Sequence, residues 1–237
     1  MKGIRMQGGI PLQGKVHIQG SKNASLPILA ATLLTNEVSY IQNCPRIADV
    51  HRFVYLLREL GCMVHWQENG IRIQPGKENK LPCDKAEARW MRGEAITGMR
   101  SSLCLLGAML GRCGYVTMEY PGGCVIGERP IDLHIKALEQ MGVVFREEEG
   151  MLSARVEELH GAEIVLDFPS VGATENILLA AVKATGDTRI IGAAREPEVT
   201  ALCEFLTACG AVVEGMGSSE LLIRGGSTLH GTCFTIP

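Results

Sequence analysis

The sequence has 237 residues, 46% hydrophobic and 21% charged, enough apolar surface to offset the entropy of ordering and to exclude an intrinsically disordered chain. A net charge of −3, from 23 basic and 26 acidic residues, supplies no field for non-specific nucleic-acid binding. The N-terminal stretch lacks the apolar core of a secretory signal, and the longest apolar run, Leu103 to Gly111, ends at Arg112, far short of the ~20 residues that span a bilayer. A cytoplasmic chain with neither nucleic-acid nor membrane partners is expected. Nine cysteines at irregular spacing, with no C-x-x-C pair, predict thiols packed in a core rather than a disulfide framework.

Along the chain, residues 1–20 read as a lone strand-like piece. Ser25–Leu34 is apolar nearly all round and predicts a buried helix, followed by a strand at Val38–Ile41. Arg46 then leads to Asp49, which complements a helix N-terminus, and Val50, Phe53, Val54, Leu57 and Leu60 recur at helical spacing. Gly61 stands where a helix end needs a left-handed residue. Met63–Trp66 and Ile71–Ile73 flank a turn at Glu68, Asn69 and Gly70, a hairpin signal. The pattern returns twice. Buried helices are predicted at Ser102–Leu110 and Asn176–Ala184, and strands at Tyr115–Met118 and Thr188–Ile191. Arg129 with Asp132 leads to Gly142, and Arg195 with Glu198 leads to Gly210. Three copies of a mixed α/β unit predict pseudo-threefold packing around buried helices. Residues 225–237 begin one more strand.

Four segments are candidates for chemistry. The run 121–130 holds three glycines and two prolines, and within it Cys124 lies five residues before Arg129. An exposed thiol beside a cation can be reactive or act as a general acid; the alternative is an inert loop cysteine. Lys22 and Asn23 stand where a strand gives way to a helix, either an anion site or an ordinary cap with a solvated lysine. Arg100 enters an apolar helix and needs a carboxylate or a ligand anion. Ser170, Val171 and Gly172 open the third buried helix. With threefold packing, these helix starts converge on one anionic ligand, which points to phosphate recognition. No cluster of metal-ligating residues is present in the sequence. His134 is the one histidine near the loop, with a satisfied structural histidine the simpler reading.

The segments GSKNASLPILAATLL, MRSSLCLLG, PGGCVIGERPIDLHIKALEQMG, DFPSVGATENILLAA and AAREPEV resemble, in collinear order, the UDP-N-acetylglucosamine 1-carboxyvinyltransferase family of enolpyruvyl transferases. The resemblance implies an inside-out α/β barrel of three β-α-β-α-β-β repeat units. It implies one complete domain at 22–224, with 1–21 and 225–237 as stubs of a second domain. It implies transfer of the enolpyruvyl group of phosphoenolpyruvate to the 3′-hydroxyl of UDP-N-acetylglucosamine, the committing step of peptidoglycan synthesis, without metal or organic cofactor. By position Cys124 matches the family's general acid. Lys22, Asn23 and Arg100 match residues near the bound substrates. Arg129, Pro130, Ile131, Asp132 and Leu133 match the nucleotide-binding run, and Ser170, Val171 and Gly172 the diphosphate-contacting turn. Phe168 and Pro169 depart from the lysine and valine of some members, so no charge contact is carried to that position. Members are about twice as long, which implies that this chain is inactive alone and prone to self-association through an uncovered face. The alternatives are a non-catalytic UDP-sugar-binding fragment and the sister 3-phosphoshikimate 1-carboxyvinyltransferase activity, against which the Gly-Gly-Cys loop argues.

Overall fold

The computed structural model describes residues 3–9, 11, 13–76, 91–120 and 131–237. The first unit contains α1 (Lys22–Ala31), a 3-10 turn (Thr32–Leu34), β1 (Ser39–Gln42), α2 (Ala48–Glu59), β2 (Met63–Gln67) and β3 (Gly70–Gln74). The second contains α3 (Glu94–Thr97), a 3-10 turn (Arg100–Leu103), α4 (Cys104–Cys113), β4 (Tyr115–Glu119), α5 (Asp132–Gln140), β5 (Val144–Glu148) and β6 (Met151–Arg155). The third contains β7 (Glu163–Val165), α6 (Val171–Ala181), β8 (Thr188–Ile191), α7 (Pro197–Ala208), β9 (Val212–Glu214) and β10 (Glu220–Arg224), after which comes β11 (Cys233–Thr235).

The three buried helices form as the all-round apolar composition requires. In α1, residues 24–31 are all buried, and α4 and α6 are buried over residues 104–110 and 173–181. The amphipathic α2, α5 and α7 cover them with one face each; Val50, Phe53, Val54 and Leu57 of α2 are nearly inaccessible. Gly61, Gly142 and Gly210 stop these helices with φ of 82°, 93° and 102°, the left-handed region that a β-carbon disfavours. The helices pack inside and three sheets lie outside, in the orders β11-β1-β3-β2, β4-β6-β5 and β7-β8-β10-β9.

The repeat closes on itself. β7 pairs in parallel with β8, and α6 runs between them. In the second unit the same place is marked by a parallel bridge, Met91 to Met118. In the first unit it is filled from the far end of the chain: β11 lies parallel to β1, with Tyr40 opposite Cys233. Cys233–Thr235 therefore sit in the first sheet, inside the packed unit rather than apart from it. The Ser21 N–H donates to the Pro237 carbonyl at 2.8 Å, and the Gly20 N–H to the Asn43 carbonyl at 3.1 Å. Upstream of Gly20 no strand forms among the described residues, contrary to the strand-like reading of 1–20. The alternating Ile4, Met6, Val16 and Ile18 are 86% exposed or more, because a strand without a neighbour has nothing to pair with.

Two close contacts lock the inner helices. A β-carbon at Gly107 would lie 2.3 Å from the Asn176 carbonyl oxygen, so only glycine lets α4 approach the backbone of α6. The Arg112 guanidinium ends α4 by donating to the carbonyls of Leu33, Thr35 and Gly76 and to Asn36 Oδ1, tying the second unit to the first. Cys44, Cys62, Cys104, Cys203 and Cys209 are buried as expected, whereas Cys233 is exposed, on the edge strand β11.

Candidate functional site

The starts of α1, α4 and α6 open on one cavity of about 700 Å³, a size suited to a small-molecule ligand. Ser21 caps α1 by accepting the Ala24 N–H at 3.3 Å, and Ser170 caps α6 by accepting the Ala173 N–H at 3.4 Å. Each cap leaves other first-turn N–H groups, with the positive end of the helix dipole, facing the cavity. Lys22, Asn23, Arg100, Asp132, Leu133, Ser170, Val171 and Gly172 line it together. Ile131 does not; it is buried just before α5. Arg100 lies in the 3-10 turn ahead of α4 rather than in the helix. Cys124, Arg129 and Pro130 lie outside the described residues. Phe168, 60% exposed, lines the rim where no charge contact was assigned.

The acid of each repeat reaches the same cavity. Asp49, Asp132 and Glu198 begin α2, α5 and α7, and threefold packing brings all three to the lining. Asp49 Oδ2 holds Lys22 Nζ at 3.2 Å, and Glu198 Oε1 accepts from Asn23 Nδ2 at 3.1 Å. Lys22 is about half exposed, so its pair with Asp49 is worth at most ~1 kcal/mol, and an incoming anion displaces it cheaply. The sequence pattern reads Asp49 and Glu198 only as complements of a helix dipole, whereas Asp132 is also expected, by resemblance, in the nucleotide-binding run.

Two buried titratable groups at the cavity were missed or left as structural. Glu175, 5% exposed in the second turn of α6, accepts from the Cys104 thiol at 3.5 Å. Burial pushes its carboxyl up to about 8, with the thiol hydrogen bond opposing and the Glu198 carboxylate adding. At neutral pH it is therefore a carboxylic acid. Burial also raises the Cys104 thiol well above its ordinary range, with Glu175 adding, which leaves it inert. His134, 6% exposed, is lowered to about 4 by burial, with Arg100 adding and Asp132 opposing. Polar letters inside an apolar helix were the available signal for Glu175 and its neighbour Asn176. A second concavity of about 820 Å³ lies around Tyr115, Arg146, Arg155 and His160 and contains none of the expected site residues.

The chain is similar to known proteins over nearly its whole length. Residues 6–237 match the family model described as EPSP synthase (3-phosphoshikimate 1-carboxyvinyltransferase). The UDP-N-acetylglucosamine 1-carboxyvinyltransferase of Oleidesulfovibrio alaskensis is 44% identical over 237 residues, covering 100% of this chain and 55% of that protein. The protein of the same name from Corynebacterium efficiens is 43% identical over 227 residues, covering 96% of this chain and 52% of its own length. The chain thus spans about half the length of the curated relatives it matches. Among solved structures, the enolpyruvyl transferase NikO from Streptomyces tendae superposes with a TM-score of 0.76 at 22% identity, covering 97% of this chain and 53% of that one. EPSP synthase from Acinetobacter baumannii gives 0.74 at 22% identity, with 94% and 49% covered. These two likenesses establish the fold, the inside-out α/β barrel expected from the sequence. Among the described residues no helix is long and apolar enough to cross a membrane.

Proposed function

The chain belongs to the EPSP synthase (3-phosphoshikimate 1-carboxyvinyltransferase) family, and from that premise we propose that it forms the substrate-binding half of a UDP-N-acetylglucosamine 1-carboxyvinyltransferase. Relatives at 42% to 44% identity bear that name. The observation that carries the reading is the gathering of Lys22, Asn23, Arg100 and the Ser170–Gly172 turn around one cavity at three helix starts. Such a place suits a substrate with several anionic groups, and UDP-N-acetylglucosamine and phosphoenolpyruvate both qualify.

In this reading the turn at Ser170, Val171 and Gly172 offers backbone N–H groups to the diphosphate. Arg129, Pro130, Asp132 and Leu133 hold the nucleotide, with the buried Ile131 anchoring the run in the core. Lys22, Asn23 and Arg100 hold phosphoenolpyruvate and the reacting sugar, Lys22 leaving Asp49 to do so. The sugar 3′-hydroxyl gives its proton to a base of the second domain as its oxygen bonds to C2 of phosphoenolpyruvate, while the Cys124 thiol delivers a proton to C3. Transfer of a proton from C3 to a base of the closed site, with cleavage of the C2–O bond to phosphate, then restores the double bond. Residues 22–224, with β11 completing the first sheet, form the Cys-loop domain, and 1–21 and the rest of 225–237 are its connections to a second domain that closes the site. The setting is cytoplasmic peptidoglycan synthesis. Closure and proton abstraction need both halves, so this chain alone binds UDP-sugar with little turnover.

Isothermal titration with UDP-N-acetylglucosamine tests the reading. Binding that weakens in Lys22→Ala and Ser170→Ala is expected, and absence of binding to the unaltered chain overturns it. Phosphate release above background that Cys124→Ala abolishes would refute the claim that the chain alone is inactive. One observation favours a second reading, since the family model is described by the 3-phosphoshikimate activity. Competition settles it: shikimate 3-phosphate should not displace the UDP-sugar.

A further inference from the structure

Asn176, on α6, reaches both α4 and α5, and its amide can face only one way. Its Oδ1 accepts the Gly107 N–H at 2.7 Å, and its Nδ2 donates to the Gly172 carbonyl at 3.1 Å. An N–H can only donate and a carbonyl only accept, so reversing the amide would set donor against donor and acceptor against acceptor. The second Nδ2 hydrogen then points to His134 Nδ1, 3.1 Å away. That nitrogen must accept, so it carries no proton. The imidazole is neutral, with its hydrogen on Nε2.

The other edge of the ring faces Gly172. A β-carbon there would lie 3.0 Å from His134 Cε1 and 3.3 Å from Nε2, so the bare glycine leaves this edge uncovered at the cavity wall. Gly172 adopts no left-handed conformation, so its lack of a side chain answers to space and not to backbone angle. The charged groups nearby are Arg100 in the 3-10 turn, which disfavours an imidazolium, and Asp132 on the same helix, which favours one. Burial decides against the cation.

The geometry points to Asn176 as a positioning residue that locks His134 into its Nε2–H tautomer, presenting a fixed neutral donor to a diphosphate oxygen at the Ser170–Gly172 turn. The ligand half of this statement rests on the UDP-sugar reading above; the tautomer half does not. A neutral donor in this place binds its acceptor without a change of charge. The diphosphate is then recognised by one more oriented N–H beside those of the α6 N-terminus.

Long-range imidazole nitrogen spectra of the ¹⁵N-labelled chain test it, with UDP-N-acetylglucosamine as the probe and titration calorimetry in parallel. In the unaltered chain His134 should show protonated Nε2 and bare Nδ1 throughout pH 5.5 to 7.5, and Nε2–H should shift on binding. In Asn176→Asp the new carboxylate accepts from Nδ1, so neutral His134 turns a bare nitrogen to the ligand. Affinity at pH 7.5 should fall roughly tenfold, the worth of about one hydrogen bond, and recover toward pH 5.5 as a second proton binds. A merely structural role for Asn176 would not make affinity depend on pH in this way. A Nδ1–H tautomer or a cation at pH 7 in the unaltered chain overturns the inference, whether or not the variant folds. So does an unmoved Nε2 signal while calorimetry shows the ligand bound. If calorimetry shows no binding, the UDP-sugar reading fails, and the tautomer spectrum still decides the role of Asn176.

Discussion

The helices α1 and α6 begin alike, and α4 begins differently. At α1 and α6 a serine caps the first turn, and its own carbonyl takes the hydroxyl of the residue four further on, Ser25 at 2.6 Å and Thr174 at 2.8 Å. At α4 the chain first makes a 3-10 turn, its leading residue Met99 provides no side-chain cap, and Arg100 occupies the turn. The sequence at these starts explains the split: Ser21 and Ser170 precede Ala24-Ser25 and Ala173-Thr174, a pattern absent around Met99. Pseudo-symmetry decides that three helix ends meet; the broken symmetry decides what they bring. Two ends offer serine-capped backbone N–H groups, that of α1 with Lys22 beside them, and the third brings Arg100 on a turn without a side-chain cap.

The close contact that α4 makes with α6 is where this comparison breaks most readily. Gly107→Ala should cost about 3 kcal/mol, seen as a large drop in urea midpoint, because the new methyl meets backbone rather than a movable side chain. A loss below about 1 kcal/mol would mean that the helices separate easily. Next comes Glu175→Gln, which should stabilise the chain. Glu175 keeps its proton up to about pH 8 when folded, against 4.5 for the ordinary value. Stability from this group is whole below 4.5 and is lost as pH rises through 8, so the variant's advantage should widen across that window. It should reach about 2 kcal/mol by about pH 6, growing by about 1.4 kcal/mol per pH unit, measured as the difference in urea midpoint against pH. An advantage that does not change with pH would mean the carboxyl is ionised in its site.

Smaller effects sharpen the contrast between capped and uncapped starts. Ser21→Ala and Ser170→Ala should each cost about 1 kcal/mol of unfolding free energy. Ser102→Ala, in the 3-10 turn before α4, should cost less than about 0.5 kcal/mol. Its hydroxyl donates to the Ile96 carbonyl at 3.3 Å, and that carbonyl keeps the Met99 N–H. Equal losses at all three would erase the distinction. Lys22→Met should change stability least, within about 0.5 kcal/mol, since its ion pair with Asp49 is open to solvent. Its effect should fall on UDP-sugar and phosphoenolpyruvate binding instead, measured by calorimetry.

Local patterns were legible where local forces decide. The stops at Gly61, Gly142 and Gly210, the hairpin of β2 and β3, and the span of β8 follow from neighbours a few residues apart. Helix starts were placed three to five residues late for α1 and α6, because the apolar stretch begins after the polar first turn that the cap serine defines. The pairing of β11 with β1 had no signal, since its partners, such as Tyr40 and Cys233, are far apart in sequence and β11 has only three residues. In the cavity, Lys22, Asn23 and Ser170 were visible as polar residues at helix starts. Asp49 and Glu198 were visible too, but their convergence depends on how the three units turn about one another. Glu175 and Asn176 were hidden by the all-round apolar character of α6, within which they are the exceptions.

The parallel neighbour of β1 lies beyond the third unit, and this reverses the order in which the units can be finished. The first unit leaves the ribosome earliest, yet its sheet keeps an open edge until Cys233–Thr235 arrive. The third unit has its own leading strand close at hand in β7 and can complete its sheet without help. Closing so large a loop costs only a few kcal/mol of chain entropy but is slow compared with local pairing. The ring is thus sewn shut at its first unit by a strand that lies beyond the third, and a nascent chain halted before Cys233 would carry β1 as a bare template for a stray strand.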